Sequence, residues 1–322
     1  MIMKKLFLLL IAAAVGTLSG FAQNSLVATL QHGSNIQAFY GDDALSAAHT
    51  AAANGDIITL STGEFNTGDI TKAITLRGEG IGKTKLKSSN NSITFTIPHG
   101  SAYTLTLEGI EFTGNNITIN GTDGTERAIL SKILFHFWQT GMEINNCNAT
   151  VIQSRMVYGR IIASENSVVT CLNSKLSDIG RSGNGHYDIQ NCVVLNAYEI
   201  TNSSIKNSII DYAGGSWSLD ASNTSSHCLV KNDVSGFANS YYVDSWEDVI
   251  VDNPYYEGEM AGSLYQLTET AAATYLGTDG TQVGIYGGTY PYNETVSYPL
   301  VKTLDVIGSH KNGKLNVKIN VE

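Results

Sequence analysis

Six short phrases decide the fold: Leu107-Glu-Gly-Ile-Glu-Phe112, Leu130-Ser-Lys-Ile-Leu-Phe135, Ile152-Gln-Ser-Arg-Met-Val157, Leu172-Asn-Ser-Lys-Leu176, Ile189-Gln-Asn-Cys-Val-Val194 and Ile205-Lys-Asn-Ser-Ile-Ile210. Each sets an apolar residue, two or three small or polar residues, then another apolar pair. Their starts lie 23, 22, 20, 17 and 16 residues apart. A unit of that length cannot bury its own apolar face and must stack on its neighbours, which is the signature of a β-solenoid coil. Residues 56–235, at roughly 22 residues per coil, predict about eight coils and a rod of about 38 Å at ordinary strand separation.

The surrounding composition agrees. No proline occurs from His99 to Asn253, as expected of strands hydrogen-bonded on both sides. Asparagine and glycine, which tolerate left-handed backbone, supply the corners. Asn173, Asn191 and Asn207 recur at one corner and predict a coil-to-coil amide ladder.

Ahead of the rod, Asp42-Asp43 and the Ala-rich run to Ala53 predict a short capping helix with an acidic N-cap and a stop at Asn54-Gly55. An uncovered first coil would expose apolar interior and an unpaired strand edge. Residues 23–55 are therefore assigned to an N-terminal segment and cap. Beyond Gly236, tyrosine and proline return and Lys314–Val321 alternates with period two. Residues 236–322 are read as a tyrosine-rich closing segment around the far end.

The first 22 residues combine Lys4 and Lys5, an apolar run and Ala22, the pattern of a cleaved secretory signal too short to span a bilayer. The reading predicts an exported chain without a membrane span, placed in the periplasm, on the outer surface or outside the cell. Without Lys4 and Lys5, 17 basic residues face 29 acidic ones, a net charge of −12. Nucleic acid is a poor partner for such a chain, because phosphate binding draws on clustered Lys and Arg. Cys147, Cys171, Cys192 and Cys228 have no metal-ligand spacing. Buried free thiols are favoured over coil-to-coil disulfides.

Two stretches carry a family resemblance. Ala44–Leu60, Gly63-Glu-Phe65 and Ile74-Thr-Leu-Arg-Gly-Glu-Gly80 resemble the opening segment of right-handed parallel β-helix proteins of the pectate-lyase-like superfamily. Asp248-Val-Ile-Val-Asp-Asn-Pro254, Ser263-Leu-Tyr-Gln-Leu267 and Gly277–Gly288 are similar to the closing segment of secreted bacterial β-helix proteins. The resemblance covers residues 42–288 and implies an all-β, single-stranded right-handed parallel β-helix. It leaves activity open, since the superfamily includes lyases, hydrolases, epimerases and proteins without known chemistry. Family lyases pair clustered calcium-binding aspartates with an arginine or lysine base, and three carboxylates at coil spacing on one face are not found here.

Two sets of residues are candidates for function. Trp138, Tyr158, Arg160, Tyr198, Tyr212 and Trp217 follow the second strand of successive phrases, and such a strip suits a polysaccharide, whose rings stack on aromatics and whose hydroxyls bond polar groups. The run Ile179-Gly-Arg-Ser-Gly-Asn-Gly-His-Tyr-Asp188 predicts a loop leaving the rod. Arg181 or His186 in it, with Arg160 elsewhere on the rod, are candidate bases, and Asp178, Asp188 and Asp211 are candidate calcium ligands. Asn90-Asn-Ser92 and Asn116-Ile-Thr118 read as turns. The expected role is non-catalytic binding of a polysaccharide or cell-surface glycan, or a surface structural role, without a cofactor. The alternative is a polysaccharide lyase, favoured over a glycoside hydrolase, acting on an acidic polysaccharide, with calcium as its possible cofactor.

Overall fold

The computed structural model describes residues 26–88, 90, 92–113, 116–136, 141–180, 183–198, 200–211, 222–231, 237, 239–251, 263–296, 301–306 and 317–321. The signal-sequence reading lies outside them. The chain winds as a parallel β-solenoid of about eight turns. Three files of strands form its faces. The first face runs through Ile57–Leu60, Thr75–Arg77, Leu105–Glu108, Arg127–Ser131, Asn148–Ile152, Val168–Leu172, His186–Gln190, Ser204–Lys206 and Thr224–Ser226. The second includes Gly63–Asn66, Thr84–Lys87, Glu111–Thr113, Leu134–His136, Arg155–Tyr158, Lys175–Gly180, Val193–Tyr198, Ile209–Ile210, Leu229–Lys231 and Tyr241–Val243. A shorter third face comprises Ser92–Thr96, Asn116–Asn120, Met142–Asn145 and Arg160–Ala163.

Side chains alternate in and out along each strand, so stacking in register creates continuous apolar files. Ile58, Leu76, Leu107, Leu130, Val151, Cys171, Ile189 and Ile205 lie one above another inside the first face. This register starts the third and fourth phrases at Val151 and Cys171, one residue earlier than the sequence reading, because these are the inward positions. Inside the second face Phe112 and Phe135 stack with centroids 5.8 Å apart. Burying each Leu or Ile side chain contributes about 1.5–3 kcal/mol, and the file repeats that gain at every coil.

The corner between the first and second faces is made by one left-handed residue per coil: Gly109, Lys132, Gln153, Asn173, Asn191, Asn207 and His227, all with φ between 45° and 65°. Just after the last five of these sits a small buried polar or thiol group: Ser154, Ser174, Cys192, Ser208 and Cys228. The backbone N–H of Ile133 donates to Ser154 Oγ (3.1 Å), that of Ser154 to Ser174 Oγ (3.1 Å), that of Cys192 to Ser208 Oγ (3.1 Å) and that of Cys228 to Ser240 Oγ (3.2 Å). Hydroxyls thus satisfy buried donors that the strand ladder leaves over at the turn. All four cysteines are buried and unpaired.

The amides at this corner do not form the ladder expected of them. They face outward and hold the C-terminal segment. Asn207 Oδ1 accepts the Thr278 N–H (2.9 Å), the Asn173 amide donates to Ile285 O (2.9 Å) and Gly287 O (2.7 Å), and Gln153 Nε2 donates to Pro291 O (2.6 Å). The Lys132 ammonium donates to Thr295 O. Residues 278–295 therefore run back along the side of the rod, against the direction of coiling, instead of wrapping its far end. A coil-to-coil amide bond occurs at another corner, where Asn145 Nδ2 donates to Asn120 Oδ1 (3.1 Å).

The C-terminal segment also covers the outer side of the second face. Val193, Leu195, Ile209 and Leu229 point outward there and pack in a second apolar cluster with Trp246, Tyr265, Leu267 and Ile285. At the other end, the helix Ala44–Ala51 seats Ala44, Leu45 and Ala48 over the first coil, beside the antiparallel strands Val27–His32 and Asn35–Tyr40. Asp43 occupies the N-cap position but its carboxylate makes no capping bond. The end of the helix is held from the next coil, where the Lys72 ammonium donates to the carbonyls of His49 (2.6 Å), Thr50 (3.0 Å) and Ala52 (2.6 Å). A cation suits the negative end of the helix dipole. Among the described residues no helix is long and apolar enough to cross a membrane.

Candidate functional site

The third face is the part of the rod whose outward positions are most consistently polar. Its sequence signal is a thrice-repeated alternation in Ser92-Ile-Thr-Phe-Thr96, Asn116-Ile-Thr-Ile-Asn120 and Met142-Glu-Ile-Asn145. Apolar members enter the core, with Ile93, Ile117, Met142 and Ile161 in one buried file. The polar members form rows outside. Thr94, Thr118, Glu143 and Ile162 share one row. Asn90-Asn-Ser92 and Asn116-Ile-Thr118 are thus not simply turns, because Ser92 and Asn116 open strands.

A second row holds Ser92 and Asn116, passes Gly141, and continues through Arg160, Asp178 and Asn196. Gly141 is dictated by sterics, since a Cβ there would lie 1.6 Å from Arg160 O. The missing side chain opens a notch in the row. Around it, Ser92, Asn116, Thr118, Glu143, Arg160 and Ile162 line a cleft of about 290 Å³. Arg160 Nη2 stands 3.5 Å from Asp178 Oδ2, and Asn196 Nδ2 donates to Asp178 Oδ1 at 2.9 Å. Asp178 holds the guanidinium from the next coil and Asn196 holds Asp178 from the one after. A smaller cleft of about 220 Å³ lies where Glu294–Val296 meets Glu79–Lys83. It is a seam between two packed segments and presents no repeated row.

The sequence candidates divide sharply against this frame. Arg160 lines the cleft and Asp178 supports it. Tyr158 ends the second-face strand just before Gly159, is 45% exposed, and stacks obliquely near His136 with centroids 6.2 Å apart. Tyr198 belongs to Val193–Tyr198, where its backbone pairs with Gly180, and its side chain is outside the described set. Trp138, Arg181, Tyr212 and Trp217 lie outside the described residues.

His186 and Asp188 are outward positions of the first face, on His186–Gln190, a different face from Arg160. Asp211 is buried and accepts a hydrogen bond from the Tyr265 hydroxyl, close to Lys175, whose ammonium lies 5.7 Å from the Tyr265 ring centroid. Asp178 lies on the second face, Asp188 on the first and Asp211 just beyond Ile209–Ile210, and among the described residues the three do not gather as one set of cation ligands. Of the glycine-rich run, Arg181 and Ser182 lie outside the described residues. The described glycines stay close to the rod, where a Cβ at Gly183 would meet Ala163 O at 2.0 Å and one at Gly185 would meet Ala163 Cβ at 2.4 Å. These glycines permit close packing on the end of Arg160–Ala163. Tyr187 closes the same end from inside: its hydroxyl accepts the Ala163 N–H (2.9 Å) and donates to Ile161 O (3.2 Å).

Sequence reasoning missed Ser92, Asn116, Thr118 and Glu143. The available signal was period-two alternation recurring at coil spacing, which identifies a solvent-facing row. No protein-family model, curated protein or solved structure matches the chain.

Proposed function

We propose that the chain is exported by its N-terminal signal and binds a polysaccharide or cell-surface glycan along the third face, without catalysis. The observation that carries this reading is the notched polar row, in which hydroxyl, amide, carboxylate and guanidinium groups are repeated at strand spacing on a rigid ladder. Sugar hydroxyls act as both donors and acceptors, so a mixed surface of this kind suits them. Tyr158 and His136 add ring faces at the adjoining corner. The acidic balance argues against nucleic acid as the partner.

A polysaccharide lyase acting on an acidic polysaccharide is the second reading, and it draws on Arg160 lying in the cleft with Glu143. Arginine stays protonated in ordinary surroundings, and the Asp178 carboxylate 3.5 Å away engages the Arg160 guanidinium as an ion pair. Arg160 is thus better suited to holding a carboxylate or hydroxyl than to removing a proton. The separation of Asp178, Asp188 and Asp211 does not fit a calcium ion needing several oxygen ligands.

The test is a binding screen of the mature chain against neutral and acidic polysaccharides, followed by affinity measurements on Arg160→Ala, Glu143→Gln and the remote Thr170→Ala. Loss of about tenfold or more in affinity in the first two variants, with Thr170→Ala unchanged, is expected. Absence of binding across the panel, or equal binding by all variants, overturns the reading. Release of unsaturated sugar ends that Arg160→Ala abolishes would replace it with the lyase.

A further inference from the structure

At the corner between the third and first faces, three side chains from successive coils converge. His99 follows the strand Ser92–Thr96, while Asp123 and Glu126 lie in the next coil between Asn116–Asn120 and Arg127–Ser131. His99 Nδ1 is 3.4 Å from Glu126 Oε1 and 3.9 Å from Asp123 Oδ2. One ligand atom from each residue lies within 4.8 Å of the other two. We propose that His99, Asp123 and Glu126 form a three-ligand site for a divalent transition metal of the zinc class, with a fourth position open to solvent.

The geometry supports this reading in several ways. Tetrahedral ligands at about 2.0–2.2 Å from a zinc ion stand about 3.3–3.6 Å from one another, and the His99–Glu126 separation falls in that range. Glu126 is only 2% exposed, and its Oε1 is buried with no hydrogen-bond partner while facing the imidazole. An orphaned buried carboxylate oxygen requires a physical reason, and an ion between it and His99 supplies one. The other oxygen is already occupied, accepting the N–H groups of Thr122 (3.0 Å) and Asp123 (3.4 Å).

Asp123 is oriented in the same manner. Its Oδ1 accepts the Thr125 N–H (3.0 Å) and hydroxyl (2.7 Å), which leaves Oδ2 toward His99. Gly121 lets the loop close, since a Cβ there would meet Asn146 O at 2.2 Å and Glu126 Oε2 at 2.8 Å. The imidazole ligand and the low count of carboxylates favour zinc-like ions over calcium or magnesium. His99 is 65% exposed at its side chain, so the site is reachable from solvent.

The experiment strips the full mature chain with a chelator and titrates it with Zn²⁺, Ca²⁺ and Mg²⁺ separately, reading stoichiometry by calorimetry and the melting temperature with and without ion. One equivalent of Zn²⁺, a raised melting temperature, and at least about tenfold weaker binding in both His99→Ala and Asp123→Asn are expected, with metal-free circular dichroism unchanged. Glu126→Gln keeps the side-chain shape and should weaken zinc binding as well. Three results would overturn the site: no saturable Zn²⁺ binding, binding that His99→Ala leaves intact, or a preference for Ca²⁺. A bare imidazolium–carboxylate pair predicts the first of these.

Discussion

At the residue scale, the structure explains several choices that composition alone leaves arbitrary. Burial pushes the thiols of Cys147, Cys192 and Cys228 up to about 12 and that of Cys171 well above its ordinary value. A protonated, enclosed thiol is a poor nucleophile. The folded chain should therefore resist a thiol reagent at mildly alkaline pH, and four thiols per chain should react once it is unfolded. Rapid labelling of the native state would contradict this packing. The burial was legible in the sequence, since the cysteines lie at coil-like spacing among small residues. Lys72 was not legible, because its role as a clamp on the helix depends on a contact between coils.

His49 gives a second prediction at the same scale. Burial and the nearby Lys72 ammonium lower its imidazole below 6.5, and His49 Nε2 accepts the Thr71 N–H at 3.1 Å. With the folded value below the unfolded one, the associated stability is present above 6.5 and is lost as pH falls through the folded value. The urea midpoint should decline as pH drops from about 7 to about 5, and His49→Gln should decline less steeply. Parallel curves for the two proteins would rule out this contribution.

At the scale of elements, the corner after the first face carries most of the specificity. Ser174 Oγ receives the Ser154 N–H and donates to Leu172 O at 2.8 Å. Ser174→Ala leaves a buried N–H without its partner, and equilibrium unfolding should show a loss of about 1–3 kcal/mol. The same corner anchors the C-terminal segment. A double variant Asn173→Ala, Asn207→Ala removes amide contacts to residues 278, 285 and 287. It should increase proteolytic cleavage within residues 277–296 while leaving the coil core protected; unchanged cleavage would mean that the amides do not hold the segment. The sequence marked Asn173, Asn191 and Asn207 as special, and their left-handed backbone is as expected. It did not disclose the outward partners, because a repeat is visible as periodicity whereas the segment that packs on it has no repeat of its own.

At the scale of the molecule, two kinds of information are separated. The parallel solenoid follows from apolar residues recurring at coil length, and the stacked files from Ile58 to Ile205 show why. The candidate site was only partly legible. Arg160 and Asp178 were identified, but the row through Ser92, Asn116 and Glu143 emerges only when registers between coils are known. Gly141 is an example, since its lack of a side chain gains meaning only beside Arg160 O. The most direct measurement is hydrogen-exchange protection of the mature chain saturated with the tightest-binding polysaccharide from the screen. The account predicts added protection in the strands Ser92–Thr96, Asn116–Asn120, Met142–Asn145 and Arg160–Ala163. Protection confined to the first face, or none at all on saturation, would contradict it.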